Sequence, residues 1–263
     1  MGIQGWGLII VSIVAVITTV VAASAWNRAA RASARAKAVT QGRAEIATMV
    51  AHEMRGPVST ILGLAATTSA HYDRMSDEQR REFLGLIEQD SRRLLSTADQ
   101  VSLALRIDAR SLTFDFRIVP LAEVIREGID EADVGAHSME VDAPDDVSVS
   151  CDRRWIAQVV RQLVENAAKF SPPDSPILIR ASRQEGQVMI EVVDAGPGIP
   201  ADRRRGLFAK FPNWRPAGYE QQPGSGLGLF ICEALVAEHH GGISIEGDSK
   251  GGTMLRVRLP VEG

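Results

Sequence analysis

The sequence predicts three parts in order: a single N-terminal transmembrane helix, an all-α helical hairpin that dimerises into a four-helix bundle, and an α+β two-layer sandwich. Three observations lead to this prediction. The run from Gly5 to Trp26 contains no charged residue. Helical periodicity then continues to about Ile107, and from about Leu112 strand-like and helix-like segments alternate. The predicted boundaries are 1–27 for the anchor, 28–42 for a basic juxtamembrane linker helix, 43–108 for the helical domain and 109–263 for the sandwich.

The first apolar run is long enough to cross a bilayer core of ~30 Å, which requires ~20 apolar residues. Trp6 and Trp26 lie near its two ends, where amphipathic rings are common. A basic cluster without acids follows it, so the positive-inside rule predicts that the C-terminal domains are cytoplasmic. The alternative is a cleaved signal peptide, because residues 23–25 resemble a cleavage site. No Lys or Arg precedes the run, which favours a retained anchor.

The amino-acid composition argues against several other classes of protein. The chain has 263 residues, of which 45% are hydrophobic and 24% charged, as in globular proteins with a real core. Its net charge of −4 argues against a nucleic-acid partner bound by bulk electrostatics. Cys151 and Cys232 are far apart and not spaced as metal ligands, so we expect reduced thiols rather than a disulfide or a metal site.

Two long helices are predicted between the linker and about Ile107. The first runs to about Ala70, and "HYDRMSDEQ" breaks it. Ser76 followed by Gln79 forms a capping-box pattern that begins the second helix. Each helix has an apolar face that a hairpin alone cannot bury. Two copies packing into a four-helix bundle would bury it, so we expect a homodimer.

The first helix carries His52 on the side opposite its apolar stripe. That stripe consists of Ile46, Val50, Pro57, Ile61 and Leu64. A core histidine would share the apolar side, so we interpret His52 as exposed, together with Arg55, Ser59 and Gly63. A neutral imidazole at pH 7 is a nucleophile. Glu53 can hold the other ring N–H or accept its proton, and Arg55 can steady phosphate oxygens.

The second half of the chain alternates helices and strands. "SLTFDFRIV" alternates like a strand, "PLAEVIREGIDEA" is helical, and "SMEVDAPDDVSVSCD" suggests strands around a Pro-Asp turn. "RRWIAQVVRQLVENAAKF" is helical, and a strand pair follows with its turn near Glu185-Gly186. "LGLFICEALVAEHH" is helical and precedes a last strand pair. This order predicts helices over one face of a mixed sheet.

Two glycine clusters flank one loop: "DAGPGIP" from Asp194 and "GSGLGLF" from Gly224. Glycine clusters are most often turns, and Asp194 could be a turn residue. The second cluster opens a helix, where free backbone N–H groups bind phosphate. The first follows a strand, so Asp194 would face a cleft and could accept hydrogen bonds from an exocyclic amine. The Gly- and Pro-rich loop between them has the composition of a lid.

The segment "QLVENAAKFSP" places Glu165, Asn166 and Lys169 within one helical turn. An Asn carbonyl oxygen suits Mg²⁺, which prefers oxygen ligands and retains waters. Lys169 could meet a phosphate as a point charge. The alternative is an exposed helix face with a Glu165–Lys169 ion pair.

Six segments, in order and spacing, resemble the H, N, G1, F, G2 and terminal glycine boxes of bacterial sensor histidine kinases. They are "MVAHEMRGPVSTILG", "QLVENAAKFSP", "DAGPGIP", "LFAKF", "GSGLGLFI" and "GGT". The resemblance covers about residues 40 to 262. It implies a dimeric helical-hairpin domain followed by a Bergerat-type ATP-binding sandwich. Together with the predicted single-pass anchor, it places the chain in the bacterial inner membrane as an expectation.

The resemblance also implies an activity: ATP- and Mg²⁺-dependent autophosphorylation of His52, then phosphotransfer to an Asp of a response regulator. His52 would be the phosphoacceptor, with Glu53 and Arg55 beside it. Asn166 would bind Mg²⁺, with Glu165 nearby, and Asp194 would bind the adenine amine. The implied ATP-binding residues are Asn166, Lys169, Phe170, Asp194, Gly196, Gly198, Ile199, Phe208, Gly224, Ser225, Gly226, Leu227, Gly228 and Thr253.

Four positions depart from the family pattern. Ala51, Met54 and Gln162 stand where a serine, a leucine and a first asparagine are common, and we expect these three to have mild effects. Gly56 stands where Thr or Asn would orient a water, so we expect weak phosphatase activity towards the regulator. Three other functions remain open at this stage: an ATP-binding pseudokinase acting as a switch, a membrane-tethered dimerisation scaffold, and another ATPase of the same superfamily in which Glu165 activates water.

Overall fold

The computed structural model describes residues 48, 50, 51, 53–184, 186–212, 214–220, 222, 224–247 and 251–261. The predicted membrane anchor, the juxtamembrane linker helix and His52 lie outside these residues. Within the described part of the chain, no helix is both long enough and apolar enough to cross a membrane.

The hairpin consists of two helices joined by a short turn. Helix α1 covers residues 53–71, and described residues 48, 50 and 51 are also helical. A 3-10 turn, Tyr72–Arg74, connects it to α2, Asp77–Asp108. The Ser76 side chain accepts a hydrogen bond from the Gln79 backbone N–H at 3.2 Å, and the Gln79 side chain accepts one from the Ser76 N–H at 3.0 Å. These bonds satisfy two free donors at the helix start and confirm the predicted capping box.

The two sides of α1 differ as predicted at the described positions. Pro57 is buried and Ile61 and Leu64 are half-buried, whereas Arg55 and Ser59 are exposed. Several large apolar side chains of the hairpin nevertheless face solvent in the single chain. They are Leu62, Leu84 and Leu95, which are 65%, 60% and 66% exposed.

The remaining chain forms the α+β part. Its helices are α3 (Leu121–Asp130), α4 (Arg153–Phe170), α5 (Ala201–Arg204) and α6 (Gly228–Glu238), and a 3-10 turn spans Arg205–Phe208. Its strands are β1 (Arg117–Pro120), β2 (Met139–Asp142), β3 (Ser148–Cys151), β4 (Ile177–Gln184), β5 (Gln187–Val193), β6 (Gly242–Gly247) and β7 (Thr253–Pro260).

A five-stranded mixed sheet has the order β2-β4-β5-β7-β6. The β2–β4 pair is parallel and the other pairs are antiparallel. The predicted hairpin of β4 and β5 is confirmed: Gln184 pairs with Gln187, and Glu185, in the turn, lies outside the described residues. Strand β3 pairs instead with β1 in a separate two-stranded sheet, so the segments on either side of the predicted Pro-Asp turn belong to different sheets.

The predicted strand "SLTFDFRIV", residues 111–119, is shorter than expected, because pairing begins only at Arg117 and ends at Pro120. The Asp115 backbone N–H bonds the Asp152 carboxylate at 2.9 Å instead of a neighbouring strand. The Phe114 ring packs against Trp155 and His239, with ring centroids 6.3 and 5.5 Å apart. Side-chain packing therefore replaces the strand ladder at this point.

Helices α3, α4 and α6 pack with the sheet around one apolar core. Leu163 of α4, Leu235 of α6, and Ile179 and Ile190 of the sheet are fully buried. Each such side chain stabilises the fold by about 1.5–3 kcal/mol relative to an exposed position. Gly128 allows α3 to approach α4, since a Cβ there would lie 2.7 Å from the Ala157 carbonyl oxygen.

His239 joins the end of α6 to the start of α4. It is 2% exposed. Its Nε2 accepts a hydrogen bond from the Asp152 backbone N–H at 3.1 Å, so Nδ1 carries the proton and donates it to the Leu235 carbonyl oxygen at 2.7 Å. Burial lowers the pKa of this imidazole, because a charged ring would lose its water shell.

Both cysteines are free and buried. Burial raises the pKa of the Cys151 thiol to about 12, and it raises the pKa of Cys232 as well. The prediction of unpaired thiols is confirmed.

Candidate functional site

A cleft of about 940 Å³ lies between α2, α4 and the loop that joins β5 to α6. It brings together residues predicted from separate parts of the sequence. Those that line it are Glu165, Asn166, Lys169, Phe170, Asp194, Gly198, Ile199, Gly224, Ser225, Gly226, Gly228 and Thr253. Phe208 and Leu227 are instead buried in the core.

Asp194 directly follows β5 and is held at one end of the cleft. It is 7% exposed. Its Oδ1 accepts hydrogen bonds from the Gly196 N–H at 2.8 Å and the Thr253 N–H at 3.1 Å. A side chain at Gly252 would overlap the Asp194 carbonyl oxygen, so the glycine before β7 lets that strand close on this site. Two backbone N–H groups, one from the following loop and one from the start of β7, thus hold the same carboxylate oxygen.

The glycines of the first cluster are required by close approach of the backbone. A Cβ at Gly196 would lie 2.7 Å from the Phe170 carbonyl oxygen, behind the Asp194 carboxylate. Gly198 has φ +74°, and its Cβ would lie 2.7 Å from the Gly251 carbonyl oxygen. Both positions therefore exclude larger residues, which is a stronger requirement than a turn alone.

Two cations meet at the second glycine cluster. The Lys169 ammonium contacts the position where a Gly224 side chain would begin, and the Arg215 guanidinium donates to the Gly224 carbonyl oxygen at 3.4 Å. Burial, together with the charge of Arg215, lowers the pKa of Lys169 to about 8. Two like charges beside the start of α6, where backbone N–H groups are free, favour an anionic ligand.

Asn166 and Glu165 lie on the α4 wall of the cleft. Among the described residues, no side chain or backbone group bonds the Asn166 amide. Glu165 pairs with Arg161 at 3.8 Å rather than with Lys169, so the expected alternative of a Glu165–Lys169 surface pair is not formed. Burial raises the pKa of Glu165. The described residues contain no cluster of three or more His, Cys, Asp or Glu that could hold a metal ion by itself.

Helix α2 is attached to this cleft through three side chains, which we call the glutamine bridge: Gln100, Gln162 and Ser225. Gln100 Nε2 donates to Gln162 Oε1 at 2.8 Å, and the Ser225 hydroxyl donates to Gln100 Oε1. The Ser225 oxygen accepts the Leu227 N–H at 3.1 Å. A Cβ at Gly228 would lie 2.7 Å from the Gln162 side chain, so this glycine makes room for the bridge.

Glu53 of α1 reaches the same region. Its carboxylate pairs with Arg93 of α2 at 3.6 Å, and Arg93 lines the cleft. The Glu53 charge also favours the protonated form of Lys169. Arg55 is exposed on α1. Sequence reasoning missed Arg93, Gln100 and Arg215, because charged and polar residues on a helix or loop carry no pattern that separates them from ordinary surface residues.

Two family models match the chain. The "His Kinase A (phospho-acceptor) domain" matches residues 43–110. The "Histidine kinase-, DNA gyrase B-, and HSP90-like ATPase" matches residues 151–263. The first covers the hairpin, and the second covers most of the cleft.

Individual relatives agree with these matches. The chain is 27% identical to the sensor protein KdpD of Clostridium acetobutylicum over 84% of its own length and 25% of that protein. It is 31% identical to the histidine protein kinase DivJ of Caulobacter vibrioides over 86% of its own length and 38% of that protein. The chain therefore spans about a quarter to two-fifths of these curated relatives.

Among solved structures, the fold resembles the histidine kinase ThkA crystallised with the response regulator protein TrrA. The TM-score is 0.62 at 24% identity, over 82% of this chain and 61% of that one. With both domain models matched in order, and with residues of the N, G1 and G2 boxes lining one cleft, the chain belongs to the sensor histidine kinases of two-component systems.

Proposed function

We propose that this chain binds ATP in the cleft, autophosphorylates on His52, and passes the phosphoryl group to an Asp of a response regulator. The observation that supports this best is the convergence of Asp194, Asn166, Lys169 and the glycines that open α6 around one cavity. A scaffold would not need this combination of a fixed carboxylate, a paired cationic site and a free helix start.

We assign the two ends of the cleft to the two ends of ATP. The Asp194 carboxylate, held by backbone, accepts a hydrogen bond from the adenine amine. The apolar ring of Phe170 and the side chain of Ile199 offer contact area to the base. Lys169 and the backbone of the cleft residues Gly224, Ser225, Gly226 and Gly228 meet the phosphates, since they supply positive charge and N–H donors.

The residues present fit a Mg²⁺ ion that accompanies ATP. Mg²⁺ is usually held by one or two protein oxygens together with waters and phosphates. The Asn166 amide oxygen supplies such a ligand in this cleft, with the Glu165 carboxyl one residue away. When bound, Mg²⁺ neutralises charge on the phosphate oxygens during transfer.

The nucleophile is assigned from the sequence and the matched phospho-acceptor domain, because His52 lies outside the described residues. A neutral imidazole nitrogen donates its lone pair to the γ-phosphorus, and the bond to the bridging oxygen breaks, releasing ADP. The remaining ring N–H then gives up its proton to a base, for which Glu53 is the neighbouring carboxylate.

We further propose that the chain acts as a homodimer anchored in the bacterial inner membrane. The exposed Leu62, Leu84 and Leu95 of the hairpin support dimerisation, because a second hairpin would remove these side chains from water. The charge-free run from Gly5 to Trp26 supports the anchor. We assign the exposed surface of α1 at Ser59 as the surface on which a response regulator docks. The complex of the histidine kinase ThkA with the response regulator protein TrrA supports a partner of this class.

The test is incubation of the full chain in detergent with γ-labelled ATP and Mg²⁺. Wild type should acquire label that is lost in acid and stable in base, as expected for phosphohistidine. A His52→Gln variant should acquire none. His71→Gln is the matched control, since His71 is an exposed histidine at the end of the same helix, and it should label like wild type.

Two outcomes would contradict the proposal. Label that persists in His52→Gln would assign the acceptor elsewhere. ATP consumption without labelled protein would support a hydrolase in which Glu165 activates water.

A further inference from the structure

We propose that Arg93 of α2 is a catalytic residue of the phosphoryl transfer: its guanidinium leaves the Glu53 carboxylate and binds the terminal phosphate of ATP. This inference rests on the proposed kinase function and adds a residue to that reaction. The exchange has two consequences. It neutralises charge on the group that is transferred, and it frees the carboxylate that accepts the imidazole proton.

The Arg93 guanidinium has donors that no described residue uses. An arginine carries several N–H donors in a planar fork. The Glu53 carboxylate is the ion-pair partner of this one, with 3.6 Å between Arg93 Nη2 and Glu53 Oε2. That distance is too long for a hydrogen bond. The Arg93 side chain is 37% exposed and lines the cleft, so its donors are open to a ligand with several acceptor oxygens, such as a phosphate.

Two other arginines of the cleft are engaged differently. Arg215 donates to two backbone carbonyl oxygens of its own loop, at 3.2 and 3.4 Å. Arg92 donates to the Glu88 carboxylate at 2.6 Å, and its side chain is 77% exposed. Arg93, by contrast, is half-buried and forms no hydrogen bond with a described residue.

Arg93 also belongs to the helical pair that carries the assigned nucleophile. Glu53 directly follows His52 in the chain, and consecutive Cα atoms lie about 3.8 Å apart. A terminal phosphate that reaches the imidazole of His52 therefore comes close to the ion pair of Glu53 and Arg93. All three residues are part of one hairpin, so this holds whichever chain of a dimer supplies the ATP.

The charges around this site favour the exchange. Burial lowers the pKa of Lys169, and the charges of Arg215 and Arg93 lower it further, whereas the Glu53 charge raises it. Three cations and a single carboxylate therefore act on one another here. The triphosphate of ATP carries more negative charge than one carboxylate, and an arginine binds phosphate oxygens in a bidentate manner that the ion pair at 3.6 Å lacks.

The exchange fits the balance of the reaction. A nitrogen of the His52 imidazole forms a bond to the γ-phosphorus, the bond to the bridging oxygen breaks, and ADP leaves. The ring N–H then passes its proton to the Glu53 carboxylate. Arg93 gains and loses no proton, and it binds the oxygens of the phosphoryl group while they carry negative charge. A carboxylate still paired with Arg93 would be a weaker base, because the cation stabilises its charged form.

The first test compares full-length wild type and Arg93→Gln in detergent with Mg²⁺ and saturating γ-labelled ATP. Labelling should be roughly 10- to 100-fold slower in the variant, as is usual when one hydrogen bond to a charged group is removed from a transition state. Arg81→Gln is the matched control and should label like wild type, because Arg81 is an exposed arginine of the same helix outside the cleft. A wild-type rate in Arg93→Gln would overturn the inference.

Nucleotide binding separates contact with the terminal phosphate from an effect on the fold. Calorimetry in His52→Gln chains, which lack the assigned acceptor, measures the affinities for ATP and for ADP. Adding Arg93→Gln should weaken ATP binding roughly 5- to 20-fold and leave ADP binding unchanged, since ADP lacks that phosphate. Equal losses for the two nucleotides would show that Arg93 only shapes the cleft, which contradicts the proposed contact.

A Glu53→Gln background decides whether Arg93 acts only by holding Glu53. The further change Arg93→Gln should still weaken ATP binding there, and a loss that disappears would exclude the phosphate contact. If Arg93→Gln does not fold, Arg93→Lys takes its place: a point charge cannot bind bidentately, so slower labelling supports the inference and an unchanged rate overturns it. Wild type that takes up no label would overturn the kinase function itself, and the comparison of ATP with ADP would still decide on Arg93.

Discussion

Replacing Gln100 with alanine would remove the centre of the glutamine bridge and leave its partner buried. Gln162 is 6% exposed and accepts its hydrogen bond from Gln100 at 2.8 Å. In the variant, the Gln162 amide oxygen would lose its protein donor, in a side chain that is only 6% exposed. We therefore expect the variant to be less stable than wild type.

The size of the loss follows from the burial of Gln162. A buried polar group left without its partner costs about 1–3 kcal/mol, more than the ~1 kcal/mol net value of an exposed hydrogen bond. For a domain of 150–250 residues, each kcal/mol lowers Tm by about 2–4 °C. The expected fall is therefore about 2–12 °C.

Thermal unfolding of wild type and variant, followed by circular dichroism, measures this difference. Gln89→Ala is the matched control, because Gln89 is an exposed glutamine on the same helix, and no described residue forms a hydrogen bond with its side chain. Its unfolding free energy should stay within about 0.5 kcal/mol of wild type. Equal Tm values for the two variants would refute the assignment of the bridge as a buried, stabilising contact.

Three further results are expected. Gly198→Ala should lower the unfolding free energy by about 1–3 kcal/mol in denaturant unfolding, because φ +74° is strained for alanine and its Cβ would crowd a carbonyl oxygen. Gly206→Ala is the control and should be nearly neutral, because the space around Gly206 is open. Similar losses in the two variants would contradict the requirement for glycine at position 198. Wild type should lose unfolding free energy as pH falls below about 6.5, because burial lowers the pKa of His239 in the folded chain and the unfolded chain therefore binds the proton more readily. A His239→Gln variant with the same loss of unfolding free energy in acid would exclude this histidine as the cause. The affinity of wild type for ATP should weaken as pH rises through about 8, where Lys169 loses its charge. The Lys169→Arg variant should keep its affinity to about pH 10, because arginine stays charged. The same pH dependence of ATP affinity in both proteins would argue against Lys169 as the phosphate contact.

The sequence predicts well those features that depend on local chemistry. The capping box at Ser76 needs only two side chains three residues apart, and the β4–β5 hairpin needs only two strand-like runs and a turn. In both cases the information lies within a short segment. The meeting of Asn166, Asp194 and Gly226 in one cleft depends on contacts between distant parts of the chain, and it was expected from the resemblance to a known family rather than from a local pattern.

Features that depend on distant packing were not predicted. Strand β1 is shortened because Asp152, far along the chain, bonds the Asp115 backbone. Gln162 was expected to be a mild departure from the family pattern, yet it is buried and bonds Gln100 of the hairpin. No local pattern distinguishes Gln100 from the exposed Gln89, since only the fold decides which glutamine meets a partner.

The burial of both native cysteines has a practical consequence for spectroscopy. The chain contains only Cys151 and Cys232, and neither thiol is accessible or readily ionised. Alkylating probes react with exposed thiolates, so the native protein should be almost unreactive while folded. A single cysteine introduced at the exposed Ala217, in the loop between β5 and α6, would then be the main labelled site. A spin label or fluorophore there could follow this loop during turnover without first removing two core residues.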